Sequence, residues 1–209
     1  MENGYTEIDE NKWRRTEHCR IFRDYVDPCY CITTELDITI FHKRNREQGH
    51  SFTLALIYAV SACANKIEEF RYRFVDGKIV LFDRINTALT HMKDETELFQ
   101  VVNITMQDDL DKYLSVAAEK IQNQKVYFTG PLGNDIFMFS PLPWISYTHI
   151  SHTNSGKKDN ATPLFDWGKF FERDGKIILP FSVQVHHSFV DGIHVGKLIS
   201  SLQNYLNDY

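Results

Sequence analysis

The sequence predicts an α+β fold in which a few helices pack on a mostly antiparallel or mixed sheet. Three observations carry this reading. Strand-like runs are mixed irregularly with helical ones. Two Asp-Gly dipeptides, Asp76-Gly77 and Asp174-Gly175, sit between apolar runs, a strong short-range hairpin signal. Three segments show helical rather than alternating periodicity. Taken in order, Leu36–Phe41 reads as a strand. Phe52–Phe70 reads as a well-buried helix, with Leu54, Leu56, Ile57, Val60, Cys63, Ala64 and Ile67 broadly apolar around it. Phe70–Leu81 is the first hairpin, and Ala88–His91 and Gln100–Thr105 are further strands. Asp108–Gln124 begins acidic, as suits a helix N-terminus, and places Leu110, Tyr113, Leu114, Ala117 and Ile121 on one face. Asp135–Phe139 and Trp144–Ile150 read as strands, and the polar run Ser151–Thr162 as a loop. Phe170–His187 is the second hairpin. Gly192–Asn207 closes the chain as a helix with Val195, Leu198, Ile199, Leu202, Tyr205 and Leu206 on one side.

The chain has 209 residues, 43% of them hydrophobic and 24% charged. That length suits one domain, 1–209, with a core large enough to stand without disulfides. No repeat, low-complexity tract or linker divides it. Its net charge of −5 argues against a nucleic-acid partner, which calls for a basic face. It contains no apolar run of about 18 residues, so no membrane span is expected, and its polar start is unlike a secretory signal. Cys19, Cys29, Cys31 and Cys63 lack the paired spacing of a zinc site and read as reduced thiols in the cytoplasm. Aromatics are plentiful, with 15 Phe and 10 Tyr.

The segment Val183-Gln-Val-His-His-Ser-Phe-Val-Asp-Gly-Ile-His-Val carries the chemistry. Strand alternation points Phe181, Val183, Val185 and His187 one way, and Ser182, Gln184 and His186 the other. The two histidines therefore do different jobs. His187, at the strand end, can reach a cleft and act as a base near neutral pH. Asp191 could orient it directly or hold the turn through an ion pair. The bland alternative makes both histidines satisfied core residues. A rival metal site from His187, Asp191 and His194 suits zinc or iron in ligand type, but the turn does not clearly place the three on one face. No metal is expected.

The pattern H-H-x-x-x-D-G, His186 to Gly192, resembles the signature of the chloramphenicol acetyltransferase-like acyltransferases. Leu179–His187, Asp191–Val195 and Trp13–His18 resemble the type A enzymes of that group. Leu36–Thr39, Glu95–Phe99 and Ser140–Trp144 fall in the expected order, so the likeness spans the chain. The resemblance implies a two-layer sandwich of mixed sheet with helices on one side, assembled as a homotrimer with active sites between subunits. It implies acetyl-CoA as cosubstrate and a hydroxyl of chloramphenicol, or of a similar small molecule, as acceptor. His187 becomes the general base, Ser140 the oxyanion donor, and Asp191 the partner of Arg15.

Trp144 and Lys169 match positions on the cofactor side. Ser51 stands where the family has a Lys, leaving Lys43, Arg44 or Arg46 to serve the CoA phosphates. Thr90, Phe99, Phe22 and Tyr127 fall at acceptor-lining positions, the last two within departures from the family's aromatic residues. Asp166 replaces a Thr that holds an ordered water near the intermediate, a place where an unpaired carboxylate is unfavourable. Thr148–Thr162 is polar, with His149 and His152, where the family is apolar. A dihydrolipoyl acyltransferase core is disfavoured because no lipoyl or subunit-binding module precedes the domain. A different hydroxyl or thiol acceptor, and a non-catalytic trimeric ligand-binding relative, are the alternatives.

Overall fold

The computed structural model describes residues 4–93, 96–128, 132–153, 156–157 and 159–209. Glu95 of the quoted motif and parts of the loop 151–162 lie outside them. The chain runs β1 (Tyr5–Glu7), α1 (Thr16–Arg23), β2 (Cys29–Asp37), α2 (Thr39–Gln48) and α3 (Phe52–Asn65). A 3₁₀ turn, Glu68–Phe70, leads to β3 (Tyr72–Val75), β4 (Lys78–Phe82), β5 (Asn86–Lys93) and β6 (Leu98–Ile104). Then come α4 (Leu110–Asn123), β7 (Ile136–Phe139), β8 (Leu164–Trp167), β9 (Phe171–Arg173), β10 (Lys176–His186) and α5 (Gly192–Asp208).

Both Asp-Gly dipeptides form two-residue hairpin loops. Asp76 and Gly77 have φ of 50° and 80°, Asp174 and Gly175 of 53° and 75°. Two successive positive φ values match the twist of the flanking strands, which is why Gly is favoured second. The first hairpin joins β1 in a small sheet of order β1-β4-β3. The second supplies β10, the spine of a mixed seven-stranded sheet of order β2-β10-β8-β7-β5-β6, with β9 on β10. Strands β5, β7 and β8 run parallel and the other pairs antiparallel.

One face of this sheet is aromatic and aliphatic. Phe139, Phe165 and Phe181 sit in a row with ring centroids 5.3 and 6.2 Å apart. They join Leu179, Val183 and Val185 and the inner faces of α3, α4 and α5 in one core. Helix α3 is buried over almost its whole length, as expected of a helix apolar all round. Ser51 caps it, its hydroxyl accepting the Leu54 N–H. No helix among the described residues is long and apolar enough to cross a membrane.

Several expectations need correction. The strand placed at Leu36–Phe41 stops at Asp37, whose Oδ1 accepts both the backbone N–H (3.0 Å) and the hydroxyl (2.6 Å) of Thr39. That local bond turns the chain into α2. Trp144–Ile150 is not a strand; an isolated bridge pairs Leu142, just before it, with Gly168, and the Lys169 N–H donates to the Ile145 carbonyl. There the chain crosses so close that a Cβ on Gly168 would lie 2.8 Å from the Ile145 carbonyl oxygen. The long helix from Phe52 ends at Asn65, short of Phe70.

Candidate active site

The strand alternation ends at His186. Its ring is buried against Phe74, with centroids 5.5 Å apart, and its Nδ1 accepts the Ser188 N–H at 3.1 Å. His186 is thus the satisfied core histidine of the pair. His187 begins the turn, and its backbone N–H donates to the Pro28 carbonyl at 2.9 Å. Its ring stacks on Phe22 at 3.8 Å and 2°, with Tyr30 at 4.9 Å. These contacts fix the ring plane. His187 Nδ1 lies 3.2 Å from Asp191 Oδ1, off the line of a hydrogen bond, and the side chain stays 36% exposed. Nδ1 is buried and makes no hydrogen bond.

Asp191 is committed to Arg15. The guanidinium donates to Oδ2 at 2.6 Å and to Oδ1 at 3.1 Å, and reaches the Ser188 carbonyl at 3.5 Å. Such a fork is geometrically specific and stronger than neutral bonds. The Arg15 bond holds the Asp191 carboxyl below the usual range, against a weaker effect of burial. Of the two roles left open for Asp191, the ion pair that shapes the turn is the one with the bonds. Of the three residues of the metal alternative, His194 has both ring nitrogens turned to other partners. His194 turns its Nδ1 to the Asp191 N–H (2.9 Å) and its Nε2 to Glu69 (3.3 Å).

Ser140 lies elsewhere. Sheet register puts Leu89 beside Phe139, Phe139 beside Phe165, and Asp166 beside Ser182, itself opposite Thr33. One residue past Leu89, Phe139 and Phe165, the face turned from the helices carries Thr90, Ser140 and Asp166 in line with Ser182 and Thr33. A row of hydroxyls with one carboxylate thus crosses five strands. Thr33 and Ser182 share a hydrogen bond of 2.8 Å. Counting strands and residues, Ser140 lies roughly 20 Å from His187 in one chain. A single copy does not bring the two together.

Asp166 is fully buried, and His152 Nε2 stands 2.7 Å from its Oδ2. Burial raises its carboxyl pKa, while His152 pulls the other way. Asp166 therefore faces a histidine of the polar loop at close range, although neither of its oxygens has a hydrogen-bond partner among the described residues. The sequence showed that loop only as unusual. Removing one partner of a buried ion pair costs about 3–5 kcal/mol. His152→Ala is expected to destabilise by that order in urea unfolding, and Asp166→Thr added to it to recover most of the loss. A double variant less stable than His152→Ala would show that the pair is not coupled.

Phe99 and Tyr127 meet at 5.4 Å and are both partly exposed. Phe99 shares the face of Thr90 by register, through Val101. Phe22 belongs instead to His187. Trp144 is 60% exposed, and the Lys169 N–H donates to the neighbouring Ile145 carbonyl at 2.7 Å, so the two residues expected on the cofactor side lie together. Tyr30 and Glu69 were missed by the sequence reading. Nothing local marks either, because both act through long-range contacts.

A histidine at a strand end, held in plane by an aromatic ring and backed by an Arg-clamped Asp-Gly turn on a mixed sheet, defines an acyltransferase of the H-H-x-x-x-D-G class. The family model described as chloramphenicol acetyltransferase matches residues 3–203, and the chain belongs to that family. It is 30% identical over 209 residues to a chloramphenicol acetyltransferase of Klebsiella sp, covering 99% of this chain and 95% of the relative. It is 32% identical over 204 residues to chloramphenicol acetyltransferase 2 of Haemophilus influenzae, covering 96% of each. A solved chloramphenicol acetyltransferase superposes with a TM-score of 0.89 at 28% identity, over 97% of this chain and all of that one. The cubic core of the pyruvate dehydrogenase multienzyme complex shares the fold, with a TM-score of 0.65 at 16% identity, over 92% of this chain and 86% of that one.

Proposed function

We propose that the chain transfers the acetyl group of acetyl-CoA to a hydroxyl of chloramphenicol or a similar small molecule, with His187 as general base. The observation that carries this is the His187 ring, stacked on Phe22 at the end of its strand and still 36% exposed. Nε2 removes the acceptor hydroxyl proton as that oxygen forms a bond to the thioester carbonyl carbon. The Ser140 hydroxyl donates to the oxyanion that develops there. As the C–S bond breaks, His187 returns its proton to the leaving sulfur. No acyl-enzyme forms.

Trp144 and Lys169 are the residues we assign to the cosubstrate, with Lys43 and Arg46 on exposed α2 positions available to its phosphates. Ser51 acts as a helix cap rather than a phosphate ligand. The distance between Ser140 and His187 within one chain supports a homotrimer in which one subunit's His187 meets another's Ser140 row. Thr90, Phe99 and Tyr127 on that row's face then line the acceptor side. Four free thiols and the use of acetyl-CoA fit a cytoplasmic setting. The Asp166–His152 pair favours a second reading of the acceptor alone: a different hydroxyl or thiol compound.

Ser140→Ala should lower kcat by about 10²- to 10³-fold in a thiol-release assay, the range for losing one oxyanion donor. Unchanged kcat would remove Ser140 from the mechanism. Turnover with other alcohols but not chloramphenicol would correct the acceptor. No turnover with any hydroxyl acceptor, and no CoA binding, would sink the enzyme assignment.

A further inference from the structure

His194 and Glu69 form a second histidine–carboxylate couple, one that the mechanism above does not use. His194 is 6% exposed and Glu69 7%. Because His194 Nδ1 accepts the Asp191 N–H at 2.9 Å, that nitrogen carries no proton. The ring proton therefore sits on Nε2, 3.3 Å from Glu69 Oε1. The same Glu69 oxygen takes Arg14 Nη2 at 3.4 Å. One imidazole thus ties the start of α5 to the 3₁₀ turn and to the residue preceding Arg15. Asp191 is held twice, by its carboxylate through Arg15 and by its backbone through His194.

We infer that His194 and Glu69 are positioning residues for the base, and that the couple holds the His187–Asp191 turn only while His194 Nδ1 is unprotonated. A proton on Nδ1 would set an N–H against the Asp191 N–H and remove one of the two holds on Asp191. The charged groups facing His194 are Glu69 from the 3₁₀ turn, Arg15 from the start of α1, and Asp191 and Lys197 from its own helix. Burial favours the neutral ring, Arg15 and Lys197 act with it, and Glu69 and Asp191 oppose it. This inference rests on the reading of His187 as the base.

The test is the pH dependence of kcat/KM for thiol release with acetyl-CoA and chloramphenicol, in the full-length wild type, His194→Gln and Glu69→Gln. In the wild type two groups, His187 and His194, must be neutral, so the acid limb should fall with the steepness of two protons. His194→Gln keeps an acceptor at the third residue of the helix, where Gln suits a capping box, and its acid limb should fall with one proton. Glu69→Gln keeps a side-chain oxygen beside Nε2 but removes the charge that favours imidazolium, and should move one ionisation to lower pH. Limbs of equal steepness in wild type and His194→Gln would overturn the inference. So would an Nδ1–H tautomer of His194 in ring ¹⁵N spectra at pH 8. Those spectra need no turnover and serve where His194→Gln fails to fold. A wild type inactive on every acceptor would sink the functional reading and the base-positioning role together, yet leave the tautomer result intact.

Discussion

His187→Ala is expected to cost about 10²- to 10⁴-fold in kcat/KM, the range that general-base assistance supplies. Most of the loss should fall in kcat, because the missing interaction is made in the transition state. The residues assigned to acetyl-CoA, Trp144 and Lys169, lie away from the His187 turn, so cosubstrate binding should survive. Isothermal titration with CoA, beside thiol release, separates the two effects. Removing the ring also leaves Phe22 without its stacking partner at 3.8 Å, which adds a stability cost. Phe22→Leu is the control: it keeps His187 but frees its plane, and should lower kcat less than His187→Ala does. Full activity in His187→Ala would be fatal to the mechanism.

Arg15→Ala should lower stability substantially. Arg15 is 8% exposed, and its removal leaves the Asp191 carboxylate, whose side chain is 28% exposed, without its cation. Breaking a buried pair costs about 3–5 kcal/mol, and the partial exposure of Asp191 places the expectation near ~3 kcal/mol. Arg15→Lys should recover little, since an ammonium cannot reproduce the two-pronged contact. The pH dependence has a definite sign. Asp191 has a depressed pKa in the folded chain, so its contribution is fully present above about pH 4, the unfolded value. It disappears as pH falls through the folded value. Urea unfolding at pH 7 and pH 3 should therefore show a gap between wild type and Arg15→Ala that narrows in acid. A constant gap would show that the Arg15–Asp191 charge pair is not its source.

Much of the fold was legible because its signals are local. Asp76-Gly77 and Asp174-Gly175 each form a hairpin within two residues, and α3 and α5 announce themselves by apolar periodicity. Helix α2 was not legible. Only Phe41 and Asn45 are buried in it, so its face carries almost no apolar signal, and the run Leu36, Ile38, Ile40 looks like a strand continuing. The decisive bond, from Asp37 to Thr39, is a side-chain contact that periodicity does not register. Trp144–Ile150 has strand-like residues but is laid over Gly168 by tertiary contacts. For the site, Asp191 and His187 were named from the motif and Arg15 only from the resemblance, and the structure brings the three together. Ser140 and the row around it depend on register across five strands, which no single segment encodes. The partner of Asp166 lay in a loop whose polarity was visible but whose contact was not.

The Arg15–Asp191 contact joins residues 176 positions apart. Closing a loop of that length has an entropic cost that rises slowly with length, but contacts of long range form late and slow folding. The plane of His187 depends on the same meeting of chain ends, through Phe22. A refolding chain can therefore complete its hairpins and bury α3 well before its base is aligned. Recovery of acetyl transfer after dilution from denaturant should lag behind recovery of helical circular dichroism. During synthesis, the segment bearing Arg15 and Phe22 must wait for the 176 residues up to Asp191 to emerge before it finds its partner.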